Sequence, residues 1–165
     1  MKVLRWIGIV VAALVVVIAL VFVGARFADG PLGLIPGGAL QSGDLVETPD
    51  VDWTFAADVP TIELQLVDPV RSRTVWLVVH NGQLYVPCSL DFPPFKTWHN
   101  EAVEDGRAVL RVEGKRYERR LERVTDEALL GELAGLVAKK YDLQPGGRFD
   151  PSSTWLFHVA PRGDG

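Results

Sequence analysis

The sequence predicts an α+β protein: an N-terminal transmembrane helix, then a small barrel of six mostly antiparallel strands with one packed α-helix. Three observations carry this. Trp6 to Gly24 holds no charged residue, and a run of about 20 apolar residues spans the hydrocarbon core of a bilayer. Thr74 to His80 and Gln83 to Cys88 are apolar, aromatic or β-branched stretches on either side of Asn81-Gly82. Asn-Gly is the favoured two-residue hairpin turn, because both central residues must take positive φ. Leu129, Leu130, Leu133, Leu136 and Val137 recur at helical spacing, which marks one apolar face of a helix.

The chain of 165 residues leaves room for one domain plus an anchor. We divide it into an anchor over 1–25, a Gly/Pro-rich juxtamembrane and acidic loop over 26–60, and the barrel over 61–162. The net charge of −4 is ordinary, and nothing in it points to nucleic acid. The charge is unevenly spread, however. No Lys or Arg stands between Arg26 and Arg71, where Asp29, Asp44, Glu47, Asp50, Asp52, Asp58, Glu63 and Asp68 lie. Arg107 to Arg123 is strongly basic instead. Either the two segments lie side by side and neutralise each other, or the basic one forms a wall for an anion. Cys88 is the single cysteine, so no internal disulfide forms and either redox compartment is allowed.

In chain order, Lys2 and Arg5 precede the apolar run and Arg26 follows it. The positive-inside rule then places the N-terminus in the cytoplasm and the domain outside, in the periplasm of a Gram-negative cell. Trp6 and Phe22 stand at the two ends, where aromatic rings favour the interface. A cleaved signal peptide is the rival, with Val23-Gly24-Ala25 as a small-residue cleavage site, but an h-region is usually about 7–15 residues. Phe27 to Gly43 is rich in Gly and Pro yet carries Leu32, Leu34, Ile35 and Leu40. It is expected to be a defined loop against the membrane surface or the domain. Asp44 to Pro60 is acidic and irregular, with Trp53 and Phe55 expected to anchor it in the core.

Thr61 to Val67 alternates as a strand and ends at Asp68-Pro69. The Asn-Gly hairpin follows, then the Pro-rich turn Phe92 to Phe95 and a short helix over Lys96 to Val103. Arg107 to Glu113 and Lys115 to Val124 form a second hairpin about Gly114. Thr125 is expected to cap a helix over Asp126 to Tyr141, with Lys139 and Lys140 at its negative end. Gln144-Pro145-Gly146-Gly147 breaks the chain before the last strand, Thr154 to Ala160. A barrel removes the edges such strands would otherwise expose.

Three pieces of the region Thr61 to Arg162 resemble the split β-barrel of the pyridoxamine-phosphate-oxidase-like superfamily, and within it the deazaflavin-dependent nitroreductase-like and uncharacterised bacterial branches. They are the strand pair TVWLVVHNGQLYV; Lys96, Trp98 and Asn100 followed by RAVLRVEG; and Lys140 to Leu143 with the closing WLFHVAPR. The resemblance implies FMN or a deazaflavin as cofactor and pairing of two chains into a homodimer. By position, Arg71, Ser72, Arg73 and Thr74 would lie near the cofactor phosphate, with Lys96 and Asn100 beside it and Trp98 against the ring. Arg forks, Lys point charges and short hydroxyls are the groups a phosphate needs. Each residue also has an ordinary reading: Lys96, Arg71 and Arg73 as solvated cations, Trp98 as packing, Asn100 as a backbone bridge. Asp68-Pro69-Val70-Arg71-Ser72 stands where deazaflavin relatives carry a Gly-Arg-Lys-Ser-Gly turn.

His80, His99, His158 and Cys88 lack the spacing of a zinc site. There is no nucleophile elbow, Walker loop or dinucleotide fingerprint. Two functions follow. The first is a membrane-anchored, extracytoplasmic, non-catalytic accessory or binding subunit of a membrane complex, with lipid contact through 6–24. The alternative is a flavin- or deazaflavin-dependent oxidoreductase acting near the membrane.

Overall fold

The computed structural model describes residues 2–94, 96–143 and 153–163. The elements run α1 (Lys2–Ala25), β1 (Leu45–Val46), a 3-10 turn (Trp53–Ala56), β2 (Ile62–Leu66), β3 (Arg71–Val75), β4 (Val78–His80), β5 (Gln83–Ser89), α2 (Trp98–Glu104), β6 (Arg107–Val112), β7 (Lys115–Arg123), α3 (Glu127–Lys140) and β8 (Thr154–Pro161). α1 is long and apolar enough to span a membrane. The expected break at 144–147 lies outside the described residues.

The sheet order is β3-β2-β6-β7-β8-β5-β4, with β1 pairing parallel to β7. Its two ends, β3 and β4, are consecutive in the chain and joined only by Trp76 and Leu77. A dipeptide reaches roughly 10 Å at most, so the sheet must curl until its edges meet. This is also where the sequence reading changes. The strand expected over Thr74 to His80 is two strands, β3 paired to β2 and β4 paired to β5, and the sheet has eight strands rather than six. The break leaves the Leu77 backbone off the ladder, and a buried polar group needs a partner. The Tyr141 hydroxyl supplies it, accepting Leu77 N–H at 2.9 Å and lying 2.9 Å from both Leu77 O and Pro60 O. Trp76 stacks on the same ring at 4.2 Å.

The Asn-Gly hairpin forms as expected, with φ of 51° at Asn81 and 74° at Gly82, and His80 opposite Gln83. Glu113 and Gly114, both at positive φ, turn β6 into β7 in the same way. Strand alternation sorts the apolar residues onto two faces. Leu64, Leu66, Leu84, Val86, Leu110, Val112, Phe157 and Val159 fill the barrel interior together with Trp98 and Ala102 of α2. Tyr85 and Leu156 face outward onto Leu133 and Val137 of α3. Leu129, Leu130 and Leu136 flank that contact, half-buried. α3 begins one residue later than expected, because Asp126 rather than Thr125 is its cap: the carboxylate accepts Leu129 N–H at 2.8 Å. Trp53 is buried against Tyr117. Phe55, expected inside, is 46% exposed, since the turn carries it to the solvent side.

The acidic and basic segments do lie together. Arg111, opposite Glu63 in the sheet, bonds Glu63 and reaches Asp29 at 2.9 Å and the Ser42 hydroxyl at 2.7 Å. Arg116 donates to Gly43 O and Leu40 O, and Arg119 to Thr48 O. The Ser42 hydroxyl, the Gln41 N–H and Arg111 hold the Asp29 carboxyl well below the usual carboxylate range. Arg111, Arg116 and Arg119 of the basic hairpin are thus occupied by the 27–50 segment.

Candidate functional site

A cleft of about 340 Å³ opens where the sheet bends between β3 and β4. Its walls are mainly apolar: Trp76, Pro87, Phe92, Pro93 and Trp98, with Leu34 and Leu143 at the sides. Thr74, Cys88, Ser89 and Lys96 supply the polar lining. A larger groove of about 510 Å³ runs past Asp50, Asp52, Asn81 and Arg119, but it contains none of the candidate cofactor-binding residues.

Of the candidates, Thr74, Lys96 and Trp98 line the cleft. Arg73 sits behind Trp98, its guanidinium carbon 5.2 Å from the ring centroid, and its Nε has no hydrogen-bond partner among the described residues. Burial pulls the Arg73 guanidinium down to about 10, so it stays charged at neutral pH. Burial also lowers the Lys96 ammonium, which donates to Phe92 O. Cys88 is buried, and desolvation pushes its thiol up to about 12. It is therefore a neutral wall group and not a nucleophile.

The strand pleat divides the remaining candidates. Arg71 and Arg73 lie opposite Leu66 and Leu64, the fully buried interior residues, whereas Ser72 and Thr74 lie opposite Gln65 and Glu63. Residues opposite each other share a face and successive residues alternate. So the two arginines and the two hydroxyls point to opposite sides of the sheet. Ser72 is buried under the juxtamembrane loop, its backbone paired with Gly37 at 2.9 and 3.2 Å. Thr74 donates its hydroxyl to Gly33 O at 3.1 Å. Asn100 is exposed on the first turn of α2. Arg71, Ser72 and Asn100 do not line the cleft.

Sequence reasoning passed over Trp76 and Tyr141. Trp76 read as one more strand residue and Tyr141 as the end of a helix. The available signal was the large aromatic within TVWLVV, where regular alternation does not continue.

No protein-family model matches the chain, and comparison with curated proteins finds no match. Solved structures do resemble it. A conserved hypothetical protein from Mycobacterium tuberculosis superposes with a TM-score of 0.50 at 14% identity, covering 66% of this chain and 76% of the other. The fold is a split β-barrel. A putative pyridoxamine 5′-phosphate oxidase from Listeria innocua gives 0.48 at 16% identity over 62% of this chain and 83% of that one. An F420 reductase gives 0.46 at 10% identity over 70% and 97%. At these identities the likeness describes the split barrel's architecture, and its chemistry must be argued from its own residues.

Proposed function

We propose that this split barrel is a membrane-anchored, extracytoplasmic accessory or binding subunit without catalytic chemistry, whose cleft receives an apolar ligand or a segment of a membrane partner. One observation carries the reading. The groups that a cofactor phosphate would need face opposite sides of the sheet, are covered, or are bonded within the chain: the Ser72 hydroxyl lies buried beneath the loop, Thr74 donates to Gly33 O and Lys96 to Phe92 O. A phosphate is held by several donors converging on one point. The cleft that remains has aromatic and proline walls, which suit an apolar occupant.

A second reading, a flavin- or deazaflavin-dependent oxidoreductase, is favoured by two cations at the cleft, Lys96 in its lining and Arg73 over the Trp98 ring. The aromatic walls would suit a planar ring. A bound flavin would supply redox chemistry, and Lys96, which lines the cleft, with Arg73 behind Trp98 would supply positive charge there. The visible spectrum of the protein, extracted in mild detergent from its own host, separates the readings. A colourless folded protein is expected, unaltered by Lys96→Ala or Arg73→Ala. A flavin or deazaflavin band near one per chain, lost in those variants, would overturn the accessory role.

The orientation rests on Lys2 and Arg5 preceding the apolar run. An alkaline phosphatase fused after Gly165 is expected to be active, because that enzyme matures only outside the cytoplasm. An inactive fusion at normal expression would reverse the topology and remove the extracytoplasmic assignment.

A further inference from the structure

We propose that the 27–36 loop is a second membrane contact, its tip entering the headgroup boundary beside α1 and holding the barrel against the lipid surface. This rests on the reading of α1 as a membrane anchor.

The loop is built, not slack. Gly30 and Gly38 both donate their N–H to Ala28 O, Leu32 and Ile35 pair with each other, and Gly37 pairs with Ser72 of β3. Its apolar residues are sorted by this framework. Leu40 is 3% exposed, against the barrel, while Leu34 is 98% and Phe27 83% exposed. Leu32 is also exposed. Apolar side chains held outward by a fixed backbone form the kind of patch that marks an interaction surface.

Two observations name the occupant. The first is continuity with α1. The N–H groups of Arg26, Phe27 and Ala28 bond the carbonyls of Val23, Gly24 and Ala25, so the turn runs on from the helix, and Ala25 is buried against the domain. Phe27 therefore stands within one turn of the end of the apolar helix, with no linker to carry it away. The second is charge. Asp29, the one charged residue in 27–36, has its charge paired with Arg111, and Phe27, Leu32, Leu34 and Pro36 are the exposed apolar residues of the loop. Aromatic and apolar side chains at that depth suit the interface of a bilayer. Leu34 also borders the cleft, so seating the tip in lipid would open the cleft to apolar molecules from the membrane.

The test uses the full chain in phosphatidylcholine vesicles that carry a nitroxide lipid. Leu34→Cys is labelled with an NBD fluorophore in a Cys88→Ser background, since Cys88 borders the same cleft. The label at 34 is expected to lose more than half of its emission to the lipid nitroxide and to be shielded from aqueous iodide. A label at 34 quenched by iodide and not by lipid, while a Val15→Cys label is quenched by lipid, would overturn the proposal and leave the anchor standing. Shielding at 34 from both quenchers would place the label in the protein's own cleft or against a second copy of the chain, which also overturns it. If the Val15 label escapes the lipid nitroxide too, the anchor reading fails and the loop contact falls with it.

Discussion

Gly37→Ala is expected to detach the loop around residues 30–38 from β3 of the barrel. A Cβ at this position would overlap the carbonyl of Gly30 and lie 2.9 Å from Pro31 N. Both are backbone atoms, so no side-chain rotation relieves the overlap. The neighbouring Gly38 is equally confined, with Ala28 O at 2.8 Å from its added Cβ. The strain, about 3 kcal/mol if the loop stayed in place, exceeds what the two Gly37–Ser72 backbone bonds contribute at about 1 kcal/mol each. The stretch around Gly37 should therefore lift from β3 and uncover Ser72, while Arg111 still holds Asp29 and Ser42. Limited proteolysis should then cut within 30–42 in the variant and not in the native protein, with the barrel still folded. Gly33→Ala is the control. Its added Cβ meets nothing within 4 Å, and its φ of +62° is the only obstacle, which costs about 1 kcal/mol. Equal proteolytic resistance of the native protein and Gly37→Ala would show that the loop does not depend on this close approach.

Phe157→Ala is expected to lower the unfolding free energy by about 4 kcal/mol, a large share of the ~5–15 kcal/mol that stabilises a domain. Phe157 is fully buried at the centre of β8, opposite Val86 on β5 and Arg123 on β7. Its ring meets Trp98 at 5.5 Å and Trp155 at 6.4 Å. The cavity would open behind Trp98, in the floor of the cleft, so the same change should also weaken whatever the cleft holds. Phe157→Leu keeps most of the volume and should cost about 1 kcal/mol. Urea midpoints of the detergent-solubilised variants measure both. A Phe157→Ala midpoint close to that of Phe157→Leu would mean the core collapses around the gap, and that the cleft floor is not held by this ring.

The local elements were legible in the sequence because each has a local cause. Asn81-Gly82 turns a hairpin wherever it stands between strands, and Glu113-Gly114 does the same. The Leu133 and Val137 stripe buries one face of α3. Trp6 to Gly24 is apolar enough to span a membrane before any fold is known. The Thr74 to His80 strand was misread as continuous because its composition is uniformly β-forming. The bend at Trp76-Leu77 is set by Tyr141, which is 64 residues from Leu77 in the chain and completes the Leu77 backbone hydrogen bonds.

The candidate site shows the same division. The resemblance grouped Arg71, Ser72, Arg73 and Thr74 by position, and consecutive basic and hydroxyl side chains are the kind of groups a phosphate requires. Pairing with β2 separates them: a strand sends alternate side chains to opposite faces, and only the neighbouring strand and the covering loop decide which face is interior. Composition, the long apolar helix, the turns and the helical stripe were thus determined by the sequence itself, through interactions spanning a few residues. The closure of the barrel, the placing of Arg73 behind Trp98 and the pinning of the 27–43 loop by Arg111 were decided by tertiary structure. Those contacts join residues far apart in the chain, and no short window of sequence contains both partners.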